Sequence, residues 1–283
     1  MDRHTMYSES LAGRILGGSG ALALVPYRID PSAMVPVVAH LTDSAGRLLV
    51  LCPTDEAEYI GATEVRIDGT KKAPELSIDI TVASLHALGR VEWLDAADPA
   101  FGLFPLADAG AFTVGAVTME KVLVHGPCGV VKLDPRALPA MPARHPLIAD
   151  EVEARDVVGV LSPGQLRALL SDVLVGFIPG FRCSEFEARE AGAPAGAPAG
   201  ASATRAPAGA SAADGATARA VSGANIWVAD VDPAGLTLAT LYGSRITSVF
   251  VDFAEPAATI SDLARAVDAL AARTSARHAS PRI

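Results

Sequence analysis

Short apolar runs separated by turn residues fill the first half of the chain, and helical stripes and further strands fill the second. Pro36 to Pro53 reads PVVAHLTDSAGRLLVLCP. Two Val/Leu-rich runs flank Asp43-Ser44-Ala45-Gly46, and Gly46 can supply the positive φ of a tight turn, so the segment predicts a β-hairpin. From Leu76 to Leu94, Ile78, Ile80 and Val82 alternate with Asp79 and Thr81, the period-2 pattern of a half-buried strand. Gly89 interrupts that run and marks a bulge or a bend. Met119 to Leu133 predicts two more strands turning at Gly126-Pro127-Cys128-Gly129. The first part therefore reads as mainly β, with strands spaced as in a small barrel.

The period then changes to that of a helix. His145-Pro146 opens a stretch with Leu147, Ile148, Val152, Val157 and Val158, with Pro146 at a first helical position. Next, Ser162 can cap and Pro163 follow as first residue. Leu166, Leu169, Leu170, Val173, Leu174 and Phe177 form one apolar stripe, and Pro179-Gly180 ends it. Near the C-terminus, strands are predicted at Ile226–Asp232, Leu236–Leu241 and Ile246–Phe253, with turns at Asp232-Pro233-Ala234-Gly235 and Gly243-Ser244. Thr259-Ile260-Ser261-Asp262 has the spacing of a capping box, and Ile260, Leu263, Ala264, Val267 and Leu270 give the stripe of a last helix. Between these two halves, residues 188–223 hold almost no large apolar side chain. The tract is dominated by Ala, Gly, Pro and Ser, and it predicts a disordered spacer, because it cannot bury enough surface to offset its ordering entropy.

Composition adds bounds. A chain of 283 residues suggests about two domains of ~100–200 residues each. Half the residues are apolar but only 5% are aromatic, so the cores must be built from Val, Leu, Ile and Ala. The formal net charge of −9 and the scattered Lys and Arg argue against nucleic acid and anionic membrane as partners. Cys52, Cys128 and Cys183 are far apart and form no C-x-x-C pair, which argues against a disulfide framework or a structural zinc. With no apolar run long enough for a signal peptide or a membrane span, the expected location is the cytoplasm.

Motif chemistry is thin. Gly18-Ser19-Gly20-Ala21-Leu22-Ala23 fits the loose G-x-G-x-x-A pattern, but no strand precedes it, so it reads as a turn before a strand. The same segment misses the nucleophile elbow at Ala21. His4, His40, His86, His125, His145 and His278 show no i, i+4 pairing, so no zinc site is expected. Glu75, Asp79 and Glu92 read as solvated acids on or near strands.

Several of these runs resemble one family. They are Arg66-Ile67-Asp68, Ala73-Pro74-Glu75, the run from Ile80 to Leu94, His145-Pro146-Leu147, Val231 to Leu236 and Val251 to Pro256. Together they resemble the HugZ-like haem-utilisation branch of the pyridoxamine-phosphate-oxidase-like split barrels, in its divergent actinobacterial-type form. The resemblance implies an α+β protein with an N-terminal split β-barrel at 1–142. It also implies a small C-terminal α-β-β-β-α domain at 143–283, interrupted by the disordered insertion at 189–223. It further implies a small-molecule cofactor, FMN or haem, and a homodimer. Arg66, Lys71, His86, Arg90 and His125 are the candidate cofactor-binding residues, with no catalytic residue or metal ligand assigned. Family members often open the small domain with a His-rich helix. The matching helix here, Ser162-Pro163-Gly164-Gln165-Leu166, holds no histidine. The leading expectation is therefore a ligand-binding or regulatory split-barrel protein without catalysis. An FMN-dependent oxidoreductase and a protein-interaction module are the alternatives.

Overall fold

A computed structural model describes residues 2–73, 80–105, 110–138, 145–187, 225–242 and 245–278. The predicted spacer at 189–223 and the start of the Leu76 run, with Glu75 and Asp79, lie outside the described residues. Among the described residues the protein is α+β, with two antiparallel sheets and six α-helices, of which α2 (Thr54–Ile60) follows the fourth strand.

The first sheet contains β1 (Ala21–Val25), β2 (Val35–Pro36), β3 (Ala39–Thr42), β4 (Leu48–Pro53) and β5 (Thr63–Lys72). It continues through β6 (Thr81–Trp93), β7 (Phe112–Gly126) and β8 (Gly129–Leu133). Its order is β2-β1-β5-β6-β7-β4-β3, with β8 on β7, and the sheet curls into a half barrel. Alternation sets the faces. On β6, Ala83, Leu85, Ala87 and Val91 are buried inside with Ile67, Val122 and Val124, while Ser84, His86, Leu88 and Arg90 face outward. The expected hairpin forms between β3 and β4, with Gly46 at φ 79°. The expected irregularity at Gly89 is a shift of register against β7. A Cβ at Gly89 would overlap the carbonyl oxygen of Thr118.

The second sheet has four strands: β9 (Gly180–Glu187), β10 (Asn225–Asp232), β11 (Gly235–Tyr242) and β12 (Arg245–Asp252), in the order β10-β11-β12-β9. Its outer core is closed by α3 (Pro146–Ala149), α4 (Glu151–Val158), α5 (Pro163–Leu174) and α6 (Ile260–His278). Both predicted caps are present. Ser162 and Gln165 form a capping box, and Thr259 and Asp262 exchange side-chain-to-backbone hydrogen bonds of 3.1 and 3.0 Å.

Three features depart from the sequence reading. Phe177 is not on the buried stripe: α5 stops at Leu174, and Phe177 is 61% exposed. Gly176, at φ 75°, lets the Phe177 N–H reach the Asp172 carbonyl and its own N–H reach that of Val173, a Schellman stop. A fourth strand, β9, follows α5, so the Ala/Gly/Pro tract falls between two strands and not between helix and first strand. The third departure is a helix at the N-terminus, α1 (Arg3–Arg14), capped by Asp2, whose carboxylate accepts from the Thr5 N–H at 3.1 Å.

Helix α1 joins the two sheets. Its Leu11 packs in the barrel core, and Tyr7 packs there beside Phe250 of β12, with ring centroids 4.9 Å apart. Its polar side meets β10. Arg14 donates to Asp230 at 2.8 and 2.6 Å, to Asp232 at 3.0 Å and to the Val231 carbonyl at 2.9 Å. The Tyr7 hydroxyl donates to Asp230 at 3.0 Å and meets Thr237 at 2.8 Å, and Ser10 donates to Asp232 at 2.6 Å. Arg14 and Asp230 are 0% and 1% exposed. Burial alone would discharge both, but their mutual attraction outweighs it, and the Asp230 carboxyl is held below its ordinary value. A bulge between Val228 and Asp230 makes this arrangement possible. Before it, Trp227 faces the barrel. After it the phase switches, so Asp230 and Asp232 face α1 while Val231 turns to the helix-side core.

Candidate functional site

On the outward face of β5, β6 and β7, polar side chains stand in a row that is not covered by the second sheet. Register brings them together: Asp68 is opposite His86, Ser84 is opposite His125, and His86 is opposite Leu123. His86 and His125 are thus diagonal neighbours on adjacent strands, with ring centroids 5.5 Å apart and the planes nearly perpendicular. Asp68 accepts from His86 Nδ1 at 2.8 Å and from Arg66 Nε and Nη2 at 3.0 and 2.8 Å. Burial pushes the Asp68 carboxyl up, but the hydrogen bonds from Arg66 and His86 outweigh it, and its pKa lies below the ordinary 3.8. A carboxylate can only accept, so Nδ1 carries the ring proton, and Nε2 keeps its lone pair in the neutral ring.

Of the five sequence candidates, the structure brings three together: Arg66, His86 and His125. Arg90 lies further along β6 on the same face and approaches Glu92 at 3.6 Å. Lys71 is on the opposite, inner face, where it is buried, donates to the Ser19 carbonyl at 3.2 Å and pairs with Glu151 of α4. The odd-numbered positions of β5 point inward, which is why Lys71 and Arg66 separate.

Sequence reasoning missed two participants. Asp68 was visible two residues from Arg66, but its pairing with His86 is a matter of strand register. Trp227 carried no signal at all. Where the second sheet meets the barrel, Val82 packs under Trp227, Ala229 and Ala239. Beside that contact lies a cleft of about 270 Å³, lined by Ser84, His125, Pro127, Trp227, Ile246 and Ser248 among others. Trp227 is 7% exposed and its indole N–H has no hydrogen-bond partner among the described residues. A larger groove of about 630 Å³ runs beside α4, α5 and β10 and holds none of the five candidates. Among the described residues, no group of three or more His, Cys, Asp or Glu side chains is placed to hold a metal ion. No single described helix is long and apolar enough to cross a membrane. The bent pair α4–α5 passes that test only when its two helices are taken together, and its apolar residues pack in the helix-side core.

The outer face offers one imidazole nitrogen whose ring is oriented by a carboxylate, a second imidazole, and an apolar cleft beside the buried Trp227 indole. That set would suit holding a metal-bearing ring through a histidine nitrogen, because a carboxylate behind a histidine fixes its tautomer and orientation. It suits a phosphate poorly. Two or three converging donors are needed, yet Arg66 is engaged by Asp68, Arg90 faces Glu92 and Lys71 is inside.

No family model and no curated protein matches the chain. Among solved structures, it is similar to a haem-binding protein from Mycobacterium smegmatis (13% identity, covering 95% of this chain and 98% of that one, TM-score 0.46). It is also similar to a protein of unknown function from Agrobacterium tumefaciens (14% identity, 95% and 97% covered, TM-score 0.33). A third is a NimC/NimA family protein from Clostridium acetobutylicum (16% identity, 46% and 100% covered, TM-score 0.30). At TM-scores below 0.5 no functional weight falls on these likenesses, and the split-barrel description rests on the curled sheet itself.

Proposed function

We propose that this chain is a ligand-binding split-barrel protein of the HugZ-like kind that holds haem on the outer face of β5–β7 and performs no chemistry on it. The observation that carries the reading is the Asp68–His86 hydrogen bond. It leaves the His86 Nε2 lone pair with no partner among the described residues, beside a second imidazole 5.5 Å away. His86 would be the side chain that holds the iron, with His125 beside it. The cleft is below the ~300–1,000 Å³ of pockets that enclose drug-sized ligands. It would therefore take only an apolar part of the ligand. Arg66 is the cation nearest a propionate. The misfit of the cations to a phosphate disfavours FMN, and with it the flavin-dependent oxidoreductase.

Adding haemin to the purified full chain tests the reading. The expected result is a stoichiometric Soret band that is lost in His86→Ala and weakened in His125→Ala. An unchanged band in both variants overturns the site. A bound flavin, or no spectral response to haemin, overturns the haem reading itself.

A further inference from the structure

The outer face of the barrel can hold a bare metal ion as well as a macrocycle. His86 of β6 and His125 of β7 stand on adjacent central strands. The register that sets Ser84 opposite His125 and Leu123 opposite His86 places the two rings diagonally on one side of the sheet. No i, i+4 spacing announces the pair, because it crosses two strands. The ring centroids are 5.5 Å apart and the planes meet at 83°. Two imidazoles on one tetrahedral ion, each with its nitrogen ~2.0–2.1 Å from the metal, hold their centroids roughly 5 Å apart, and each ring can turn about its own metal–nitrogen bond. The observed separation is close to that spacing, so rotation of the side chains suffices to close a chelate across the strands.

The donors are prepared for such an ion. His86 gives its Nδ1 proton to Asp68 at 2.8 Å, and Asp68 is itself held by Arg66. Histidines that ligate metals almost always donate their other ring N–H in this way, which fixes tautomer and ring orientation. Among the described residues, no hydrogen bond occupies His86 Nε2 or either ring nitrogen of His125. His125 is exposed, and the His86 side chain is 47% exposed, so an ion can arrive from water. Two protein nitrogens leave the remaining positions of the ion to water. The result is an open site and not a closed structural one, in keeping with the lack of any group of three ligating side chains among the described residues.

We propose that His86 and His125 chelate one divalent ion of the zinc, copper and nickel class, with Asp68 orienting His86 from behind. Imidazole nitrogens suit these ions, whereas magnesium and calcium take oxygen ligands. The His86 lone pair that holds the ion is the one the haem reading also uses, so the two ligands exclude each other there. The chelate itself does not depend on that reading.

The test uses Zn²⁺ alone, with no haemin present. Zn²⁺ is titrated into the purified full chain by calorimetry, in a non-chelating buffer at mildly alkaline pH. One ion per chain is expected, and Mg²⁺ should give no binding heat. Saturable binding should be lost in His86→Ala and in His125→Ala, and affinity should fall by about 10–100-fold in Asp68→Asn. Both rings are on the open face, so the urea midpoints of the two histidine variants should match that of the parent chain. Binding that survives in both histidine variants puts the ion elsewhere and overturns the site. Loss in only one of them leaves a single ligand and overturns the chelate. A rise in molecular mass on adding Zn²⁺, read by light scattering, would mean an ion shared between two copies and would defeat the proposal equally. If haemin gives no Soret band while Zn²⁺ behaves as expected, the haem reading falls and the chelate stands. The opposite pair of results sinks the chelate and leaves the haem site.

Discussion

Two clusters of Arg, Asp and ring side chains occupy the molecule, and solvent decides what each can do. Around Arg14, every charge is out of water and is paired across the seam with Asp230 and Asp232. Around Asp68, the same residue types lie on one sheet with Arg66 and His86 almost half exposed. Among the described residues, the carboxylates of the buried cluster are taken by Arg14, Tyr7 and Ser10, and only the buried Arg14 Nε is left without a partner. The exposed cluster keeps a nitrogen lone pair facing outward. An ionic cluster closed off from water holds parts together, whereas one with a vacant electron pair at its rim can bind.

The sharpest way to break this contrast is Arg14→Met. Two carboxylates would stay buried without their cation, and a loss of about 3–5 kcal/mol is expected from urea unfolding. Haem binding at 25 °C should persist in whatever fraction stays folded. Next in size is Asp68→Asn. The variant loses the anion that orients His86, so haem affinity should fall by about 10–100-fold, while the urea midpoint moves little. If Asp68→Asn unfolds the chain and Arg14→Met does not, the assignment of structural and functional clusters is reversed.

Acid separates the clusters further. Burial lowers the pKa of His40 below 6.5, despite the hydrogen bond from its ring to the Ile15 carbonyl, and burial lowers that of His145 likewise. The unfolded chain therefore takes up these protons first. Their contribution to stability is complete above pH 6.5 and declines as the pH falls below it. Asp230, also depressed, contributes fully above its unfolded value of 3.8 and fails only as the pH falls through its lower folded value. Stability against pH should thus drop in two stages, and His40→Gln should shrink the first. A single drop centred on pH 4 would contradict this. The smallest effect is expected from Arg90→Ala. Its contact with Glu92 is long and exposed, so stability should change by less than ~0.5 kcal/mol and the Soret titration should not move.

Much of the fold could be read from local pattern. The hairpin at Gly46, the irregularity at Gly89, the Ser162 cap, the capping box at Thr259 and the last three strands are each fixed by residues within a few positions of one another. The site was legible only in part. Arg66, His86 and His125 could be picked from the chain, but period-2 alternation alone shows that Lys71 parts from Arg66. The pairing of Asp68 with His86 depends on register between two strands, which no short window contains. Helix α1 was missed because Arg3 to Ser10 is mostly polar, and its partners are more than 200 residues away, as the separation of 216 between Arg14 and Asp230 illustrates. The phase switch in β10 was invisible for another reason. NIWVADVD reads as one alternating strand, and only the bulge shows that both acids turn to the same side as Trp227.

That separation has a consequence in time. A ribosome completes α1 long before the carboxylates that neutralise Arg14 emerge, 216 and 218 residues later. Until then the guanidinium must remain hydrated, and the barrel end that α1 covers stays open. Closure of the barrel is therefore coupled to the arrival of β10, with the long Ala/Gly/Pro tract already translated between them. Contacts of this sequence separation close late, because the loop entropy must be met before the ion pairs form. A nascent chain stalled before residue 225 should hold α1 accessible to protease, and one released beyond residue 252 should protect it.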